Sequence, residues 1–232
     1  MVQKECLAII TARGGSKRIP RKNIKDFLGK PIIHYPIDAA IKSKVFDEIM
    51  VSTDDQEIAD FSLKAGAKVP FLRSPNTSGD YSSTAEVILE VLEKYIERGQ
   101  TFKFVCCIYP TAPFLQAQAL IETYSLLKSE KVQSVVPVVR FSFPIQRAVK
   151  IENNRMKMFQ PEHIVTRSQD LTPAYHDVGQ FYWLETESFL KNKKLYTEDT
   201  IAYKMDEMMV QDIDTPEDWA IAEMKFKLIN NQ

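Results

Sequence analysis

The sequence predicts an α/β fold, a Rossmann-like and mostly parallel sheet with flanking helices. Three observations support this prediction. Short apolar runs of the kind that form buried strands alternate with amphipathic runs of helical period over the first 140 residues. Hydrophobic residues make up 44% of the 232 residues, which is enough for a substantial core. The alternation is lost over residues 140–175, so we expect a single domain spanning residues 1–232 that carries one insertion.

The first half of the chain supplies strands and helices in alternation. The first helix should have Pro31 near its first turn. Asp54 is expected to cap the second helix, with Glu57 completing a capping box and Gly66 ending it. Strands are expected at residues 6–10, 48–52, 68–71, 102–109 and 133–139, and helices at 32–41, 54–66, 86–97 and 117–127.

The second half is less regular. Residues 140–175 have no strand–helix rhythm apart from a short hairpin expected around residues 148–158. Strands are expected at 180–184 and 207–213, and a last helix should follow a cap at Thr215 and run to about residue 228. The apolar side chains of the insertion either fold back on the chain's own core or form a subunit contact. These side chains are Phe141, Phe143, Ile145 and Phe159.

Composition argues against several classes of function. Lysine and arginine total 30 against 31 aspartates and glutamates, and a net charge of −1 does not suit non-specific nucleic-acid binding. Apolar runs stay short of the roughly 18 residues of a membrane span, and the N-terminus lacks the features of a signal peptide. Cys6, Cys106 and Cys107 lie in apolar runs without metal-ligand spacing, so we expect buried thiols. We therefore expect a cytoplasmic protein without nucleic-acid or membrane partners.

The segment between the first predicted strand and helix, residues 11–31, has the composition of a polyphosphate site. Glycine lets backbone N–H groups approach phosphate oxygens, and lysine and arginine neutralise the phosphate charge. Open α/β sheets bind ligands at this edge, although a solvated basic loop is the alternative. The signatures G-x-G-x-x-G and G-x-x-x-x-G-K-[ST] are both missing. The segment holds two adjacent glycines and the cations Arg13, Lys17, Arg18, Arg21, Lys22 and Lys25.

Asp212 and Asp214 are candidates for a metal site near the end of a predicted strand. Residues two apart on a strand point to the same side, roughly 6.5 to 7 Å apart. Their like charges would repel unless a cation lay between them, and carboxylate oxygens suit Mg²⁺, which shares its shell with substrate phosphates. The alternative is a solvated pair beside a helix N-terminus.

Residues 12–23, ARGGSKRIPRKN, resemble the opening signature A-R-G-G-S-K-x-x-P-x-K-N of the cytidylyltransferases that activate nonulosonic acids, the nine-carbon acidic sugars that include sialic acid. The resemblance implies a fold like that of nucleotide-diphospho-sugar transferases, with CTP as substrate and Mg²⁺ as cofactor. It implies catalytic roles for Arg13, Lys17, Lys22, Asp212 and Asp214. It implies that CTP binds Ala12, Arg13, Gly14, Gly15, Ser16, Lys17, Lys22, Asn23, Arg73 and Thr84, the last two at the base.

Residues 141–148 (FSFPIQRA) and 167–183 (RSQDLTPAYHDVGQFYW) resemble the subgroup that makes CMP-pseudaminic acid. In addition, Tyr109 stands where the sialic acid branch has a glutamine that contacts the sugar. The resemblance therefore implies pseudaminic acid as the second substrate, in bacterial surface or flagellin glycosylation. Arg167 is the candidate for the sugar carboxylate, since a guanidinium fork matches that group. The implied sugar-binding residues are Tyr109, Gln146, Arg147, Arg167, His176 and Gln180.

The resemblance also implies a homodimer in which residues 140–175 embrace the partner. Several alternatives stay open at this point. The sugar could be sialic, legionaminic or 3-deoxy-manno-octulosonic acid, or the chain could be a catalytically silent nucleotide-sugar binding module. His176 and Asp177 could act as an acid–base pair. A dehydrogenase on the same sheet is disfavoured by the missing glycine signature.

Overall fold

Eleven strands and six α-helices make up the part of the chain that the computed structural model describes, residues 1–230. The strands are β1 (Val2–Thr11), β2 (Asp26–Phe27), β3 (Lys30–Pro31), β4 (Glu48–Ser52), β5 (Gln100–Ile108), β6 (Ser134–Arg140), β7 (Val149–Glu152), β8 (Arg155–Met158), β9 (Tyr175–Asp177), β10 (Phe181–Glu185) and β11 (Thr200–Lys204). The helices are α1 (His34–Ser43), α2 (Gln56–Lys64), α3 (Thr84–Glu97), α4 (Ala117–Glu130), α5 (Thr186–Asn192) and α6 (Pro216–Ile229).

A seven-stranded sheet in the order β11-β6-β10-β5-β1-β4 forms the centre, with β9 paired to β6. Strands β4, β1 and β5 are mutually parallel, as the alternating strands and helices predict. Strand β10 runs antiparallel between β5 and β6, so the sheet is mixed on that side. The middle of β1 is fully buried because helices cover both faces of the sheet.

Two apolar layers hold the helices on the sheet. One face packs α1 and α4 around Trp183, whose ring stacks on Phe46 and Tyr124 at centroid distances of 5.1 Å each. The other face packs α3 and α5 against β1 and β5, with Tyr95 in the interior. These layers fix the carboxyl ends of β1 and β5 beside each other, which is the edge where ligands bind in open α/β sheets.

A third apolar cluster joins the loop after β1 to the last helix. Phe27 is fully buried, and its ring meets those of Tyr35, Trp219 and Phe226 edge-on, with centroids 5.5 Å apart in each pair. Ile213, just before α6, lies in the same cluster with no exposed surface. Aromatic burial of this size is worth several kcal/mol in total, at about 25 cal/mol per Å². It therefore holds residues 13–31 against the segment that carries Asp212 and Asp214.

The prediction of a strand at residues 207–213 is wrong. Residues Glu207–Met209 form a 3-10 helix that is capped by Asp206, whose side chain accepts the Met208 N–H. Met209 and Ile213 pack in the third cluster, while Val210 packs with Val139 and Val178. The sequence also did not reveal α5 or β11, and β11 is the parallel neighbour of β6.

Other boundaries differ from expectation in smaller ways. The predicted strand at residues 68–71 amounts to a single bridge between Met50 and Lys68. Pro31 lies in β3, and α1 begins three residues later at His34. Asp55 caps α2, because its side chain accepts the Ile58 N–H, while Asp54 points elsewhere.

Strands β7 and β8 confirm the predicted hairpin within the insertion. The insertion keeps its apolar side chains on the surface, with Phe143 83% and Phe159 63% exposed. Phe141 and Ile145 are exposed as well, at 39% and 42%. These four side chains do not fold back into the chain's own core. Within residues 1–230, none of the helices combines the length and apolar character that crossing a bilayer requires.

Candidate active site

A cleft of about 230 Å³ opens at the carboxyl ends of β1 and β5. The loop after β1 forms one wall, and the start of α3 with the segment after β5 forms the other. Most of the side chains that line it are polar. The lining residues are Thr11, Arg13, Ser16, Lys17, Arg18, Ile19, Lys22, Asn23, Arg73, Ser82, Thr84, Val87, Tyr109, Pro110 and Thr111.

Two cations of the cleft share one carboxylate. Arg13 Nη1 donates to Asp80 Oδ1 at 2.7 Å, and Lys17 Nζ pairs with the other oxygen of the same carboxylate. Lys17 and then Arg13 lower the pKa of Asp80. Asp80 lies in the polar loop between Arg73 and Thr84. The Asp80 carboxylate thus neutralises Arg13 and Lys17, two cations that phosphate oxygens could neutralise equally well.

A second pair of cations meets Asp214 at the other end of the cleft. Arg18 Nη2 lies 2.9 Å and Lys22 Nζ 3.4 Å from Asp214 Oδ1. Lys22 also donates to the backbone carbonyl of Ile213 at 2.7 Å. The basic loop is thereby connected to the turn before α6 by charge as well as by the aromatic cluster.

The remaining two cations of the basic loop have structural contacts. Arg21 has a positive φ of 55° and pairs with Asp55 and Glu57 on α2. Lys25 Nζ lies 4.4 Å from the centre of the Trp219 ring. The six cations thus divide into four that line the cleft and two that fix the loop to its neighbours.

Gly14 is required by close packing. A Cβ atom there would lie 2.8 Å from Asp55 Oδ2, too close for any other residue without a shift of α2. Its N–H donates to Asp54 Oδ1 at 2.9 Å. Asn23 Nδ2 donates to the Arg13 carbonyl at 2.8 Å, which closes the loop on itself. Ala12 is fully buried, with its N–H bound to the Ser52 carbonyl, while the Gly15 Cα faces open space.

Arg73 and Thr84 lie at the inner end of the cleft. Arg73 is only 8% exposed, and burial lowers its pKa. It donates from Nε to Ser52 Oγ at 3.0 Å and from Nη2 to the Ser52 carbonyl at 2.6 Å. Thr84 opens α3, whose cap is Ser83 in a capping box with Glu86. Since Ser83 supplies the cap, the Thr84 hydroxyl is free for the Tyr109 hydroxyl at 2.9 Å.

Asp212 and Asp214 bracket Ile213 where the chain enters α6. Partial burial of the carboxyl and the nearby Asp214 charge raise the pKa of Asp212. Such repulsion between two carboxylates is what a bridging cation relieves. Within residues 1–230, no three His, Cys, Asp or Glu side chains gather as a ready metal site. The pair fits Mg²⁺, because this ion binds one or two carboxylates and takes its other ligands from phosphates and water.

The expected sugar-binding residues do not gather around this cleft. Only Tyr109 lines it. Gln180 is buried and donates to the Met209 carbonyl at 2.7 Å. The other four lie in or beside the insertion, bound to it by their own contacts. Gln146 donates to the Thr172 carbonyl, Arg147 to the Thr166 carbonyl and Arg167 to Asp170, while His176 lies against Phe141 at a centroid distance of 4.6 Å.

The residues expected to bind CTP do not include several that lie at or beside the cleft, among them Arg18, Asp54, Asp80 and Thr111. Arg18 lies at a variable position of the signature, so its charge was the only signal. Asp54 and Asp80 are acidic, and composition alone does not show that they accept hydrogen bonds from the basic loop. Thr111 follows the end of β5 and could have been found from that position, since strand ends carry ligand contacts in such sheets.

Comparison with known proteins adds independent findings. A family model described as Cytidylyltransferase matches residues 7–229. A Pseudaminic acid cytidylyltransferase of Campylobacter jejuni is 43% identical over 223 residues, covering 96% of this chain and 96% of its own. A CMP-N,N'-diacetyllegionaminic acid synthase of Legionella pneumophila is 34% identical over 228 residues, again covering 96% of both chains.

A solved structure confirms the predicted class of fold. CMP:2-keto-3-deoxy-manno-octonic acid synthetase complexed with CTP matches 99% of this chain and 100% of its own with a TM-score of 0.69. The sequence identity is 16%, so this similarity concerns the fold alone. The mixed sheet with helices on both faces is therefore an arrangement that other chains share.

Proposed function

Because the chain belongs to the cytidylyltransferase family, we propose that it transfers the CMP group of CTP to the anomeric hydroxyl of pseudaminic acid. Pyrophosphate and CMP-pseudaminic acid are the products. The similarity to the Campylobacter jejuni relative over 96% of both chains supports this choice of sugar.

One observation carries the proposal: four cations and the buried Arg73 line a single cleft. A triphosphate of about four negative charges needs cations of this number, and a base needs a donor such as the Arg73 guanidinium. The cations are Arg13, Lys17, Arg18 and Lys22.

The reaction is an in-line displacement at the α-phosphorus of CTP. The anomeric oxygen forms a bond to phosphorus, the bond from phosphorus to the bridging oxygen of the β-phosphate breaks, and the anomeric proton passes to solvent. Arg13, Lys17 and Lys22 stabilise the charge that grows on the leaving pyrophosphate. The backbone of residues 12–16 and Asn23 shape the loop around the phosphates, while Arg73 and Thr84 hold the base. Positioning and charge stabilisation supply the catalysis, without a covalent enzyme intermediate.

Asp212 and Asp214 would hold Mg²⁺, which supplies positive charge beside the phosphate oxygens. Arg18 and Lys22 contact Asp214 in this structure. If Asp214 held Mg²⁺ instead, these two side chains would be available to phosphate. The two aspartates are accordingly the catalytic carboxylates of the proposal, and their role is to bind and orient.

The sugar site requires the insertion, and we place it between two subunits of a homodimer. The insertion exposes apolar side chains, and a subunit interface at this surface would cover them. In that assembly Arg167 is the proposed partner of the sugar carboxylate, and Tyr109 is contributed from the cleft wall. Gln180, which is buried behind the cleft on the Met209 carbonyl, would have to exchange that contact to reach the sugar. Gln146, Arg147 and His176 complete the proposed sugar contacts. The chain would act in the cytoplasm, upstream of bacterial surface or flagellin glycosylation.

Pyrophosphate release tests the proposal directly. The purified protein is incubated with CTP and Mg²⁺ and with pseudaminic, N,N'-diacetyllegionaminic or N-acetylneuraminic acid in separate reactions. Rapid release with pseudaminic acid is the expected result. Release with only one of the other two sugars would retain the reaction and change the substrate. Absence of release with every sugar would point to a silent nucleotide-sugar binding module, which CTP binding by calorimetry would then detect.

The legionaminic acid alternative has its own support in the Legionella pneumophila relative, which matches the same 96% of the chain at 34% identity. The three-sugar comparison therefore decides between legionaminic and pseudaminic acid in a single assay.

A further inference from the structure

A carboxylate on α3 holds the segment that follows Arg73. Glu90 Oε1 accepts the Ser74 N–H at 2.8 Å. Glu90 Oε2 accepts the Ser74 hydroxyl at 3.0 Å and also the Thr77 hydroxyl. Glu90 itself lies outside the lining of the cleft, so the mechanism above does not use it. Its contacts instead concern the backbone beside a residue that does line the cleft.

A lysine one turn further along α3 holds the other side of Arg73. Lys94 Nζ donates to the Leu72 carbonyl at 2.9 Å and pairs with Glu90 Oε1 at 2.5 Å. The residue before Arg73 and the residue after it are thus bound to one ion pair on α3. The Arg73 N–H donates to the Thr53 carbonyl at 2.7 Å. The chain is therefore held at three consecutive residues around Arg73.

Glu90 is ionised in this arrangement. Burial alone would raise the pKa of its carboxyl, but hydrogen bonds from Lys94, Thr77 and Ser74 outweigh burial and lower this pKa to about 2. An ionised carboxylate only accepts hydrogen bonds, which suits a point where several donors meet. The Glu90 side chain is only 14% exposed, so these bonds contribute more than those of a fully exposed pair.

The same helix carries the other residue at the base end of the cleft. Thr84 is the first residue of α3 and lines the cleft together with Arg73. A polar loop connects the two residues along the chain, and a loop alone would set their separation loosely. Glu90 and Lys94 instead bind the neighbours of Arg73 directly to the helix. The relative position of Arg73 and Thr84 is therefore set by a rigid element.

We propose that Glu90 is a positioning residue for the nucleotide base, because it holds the backbone beside Arg73 in a fixed relation to Thr84 on the same helix. This inference rests on the proposed function, since it concerns how the same cleft binds the base of CTP. The cations of the cleft lie on the loop after β1 and pair with Asp80 and Asp214. Their affinity for phosphate should accordingly not depend on Glu90.

Four substitutions test this role. Glu90→Ala removes the acceptor of the Ser74 N–H. Glu90→Gln keeps an oxygen for that N–H, and its amide can donate to the two hydroxyls that Glu90 now accepts. Lys94→Met releases the Leu72 carbonyl and retains an apolar stem. Asp38→Ala is the matched control, because Asp38 also pairs with a lysine four residues later, on α1 and outside the cleft.

The measurement is the dissociation constant of CTP and, separately, of pyrophosphate, by calorimetry in the presence of Mg²⁺. Pyrophosphate reports on the phosphate cations alone, because it has no base. We expect Glu90→Ala to weaken CTP binding about tenfold, the size of one charge-assisted hydrogen bond, and to change pyrophosphate binding less than about twofold. Lys94→Met should weaken CTP binding in the same selective way. Glu90→Gln and Asp38→Ala should bind CTP much as the unmodified protein does.

Thermal unfolding of each variant checks its fold, and if Glu90→Ala does not fold, Lys94→Met decides by the same comparison. Unchanged CTP binding in the folded variant overturns the inference. Equal losses of CTP and pyrophosphate binding overturn it too, because they mean a disturbance of the whole cleft. A loss in Glu90→Gln as large as in Glu90→Ala also overturns it, since the charge and not the held backbone would then be responsible.

Failure of the proposed function gives a different result. If the unmodified protein binds CTP but releases no pyrophosphate with any sugar, the proposed function is wrong and the calorimetric comparison still decides the role of Glu90. If the unmodified protein binds no CTP, both the proposed function and this inference are overturned before any variant is compared.

Discussion

The basic loop after β1 and the insertion both carry side chains that are unfavourable without a partner, but only the loop pairs them within the same chain. In the loop, four cations find carboxylates within the same chain, two on Asp80 and two on Asp214. In the insertion, apolar side chains stay exposed, with Phe143 at 83%, Ile151 at 76% and Val165 at 87%. Exposed ion pairs of this kind are weak and open readily, whereas a contiguous apolar surface requires cover from another molecule.

From this difference we expect the basic loop to serve the chemistry and the insertion to serve subunit assembly. In the proposed function, incoming phosphates displace the carboxylates of Asp80 and Asp214 from the cations of the cleft. In the proposed dimer, a second subunit covers the exposed apolar side chains of the insertion. Substitutions in the loop should therefore change turnover or CTP use and leave assembly intact. Substitutions in the insertion should weaken assembly before they change turnover.

The largest effect is expected at Asp214, where loop and metal site meet. Asp214→Ala should lower kcat by about a hundredfold or more, because a charge that holds Mg²⁺ beside the phosphates is removed. The fold should be unaffected, since the Asp214 side chain contacts only Arg18 and Lys22 near the surface. Steady-state kinetics at saturating CTP and increasing Mg²⁺ measure the loss.

Glu217→Ala is the control, as Glu217 is an exposed carboxylate in the first turn of the same helix. It should retain kcat. Near-normal turnover of Asp214→Ala at saturating Mg²⁺ would remove the metal assignment and leave Asp214 as a counter-ion of the loop.

The second effect concerns assembly. Ile151→Asp places a charge on the exposed face of the hairpin and should weaken dimerisation on the order of a hundredfold. The reason is that burial of one such side chain is worth about 1.5–3 kcal/mol, and a two-fold interface contains it twice. Analytical ultracentrifugation over a concentration series measures the dissociation constant.

Leu63→Asp makes the same change at a 53% exposed position on α2 and should leave the assembly as it is. Equal dissociation constants for Ile151→Asp and the unmodified protein would show that the hairpin face has another role. If the unmodified protein is itself a monomer, the proposal that the insertion forms a subunit interface is wrong.

The same contrast explains how much of the molecule could be predicted from its sequence. The parallel core was predictable because the apolar runs at residues 6–10 and 48–52 have one reading, and both lie in the observed strands. Residues 207–213 look like another strand by apolar content. Ile213 instead packs in one cluster with Phe27 and Trp219, and Val210 packs with Val139 and Val178. These contacts join distant segments, so no local pattern reveals them.

The same limit applies to the candidate site, where local sequence predicts positions but not contacts between distant segments. The cations of residues 12–23 were expected at this edge of the sheet, and four of them line the cleft there. The sequence did not reveal that Arg21 faces away toward Asp55. The resemblance implied that Arg73 and Thr84 lie together at the base, and both line the same cleft. The sugar residues of the insertion could not be placed from the sequence, because their side chains bond within the insertion itself, Gln146 to the Thr172 carbonyl and Arg167 to Asp170.

The third effect lies at the phosphate end of the cleft. Arg13→Ala should raise KM for CTP about tenfold, because a charge-assisted contact of this kind contributes roughly 1.5–3 kcal/mol. The KM for the sugar should change less, and the dimer should persist. Lys191→Ala, at an exposed position on α5, is the control. Unchanged CTP kinetics in Arg13→Ala would reject the phosphate role of the loop.

The smallest effect tests whether Asp80 competes with the substrate. Asp80→Asn removes the carboxylate that Arg13 and Lys17 share, so these cations should bind phosphates more readily and KM for CTP should fall up to about fivefold. The gain should shrink as salt is added, because salt screens exposed pairs. Since both cations lower the pKa of Asp80, its carboxylate stays ionised in the neutral range, and the gain should not vary with pH there. Glu93→Gln, an exposed carboxylate on α3, is the matched control. A higher KM in Asp80→Asn would instead mean that Asp80 holds Arg13 and Lys17 in their binding positions, which would make the pairing part of the site's organisation.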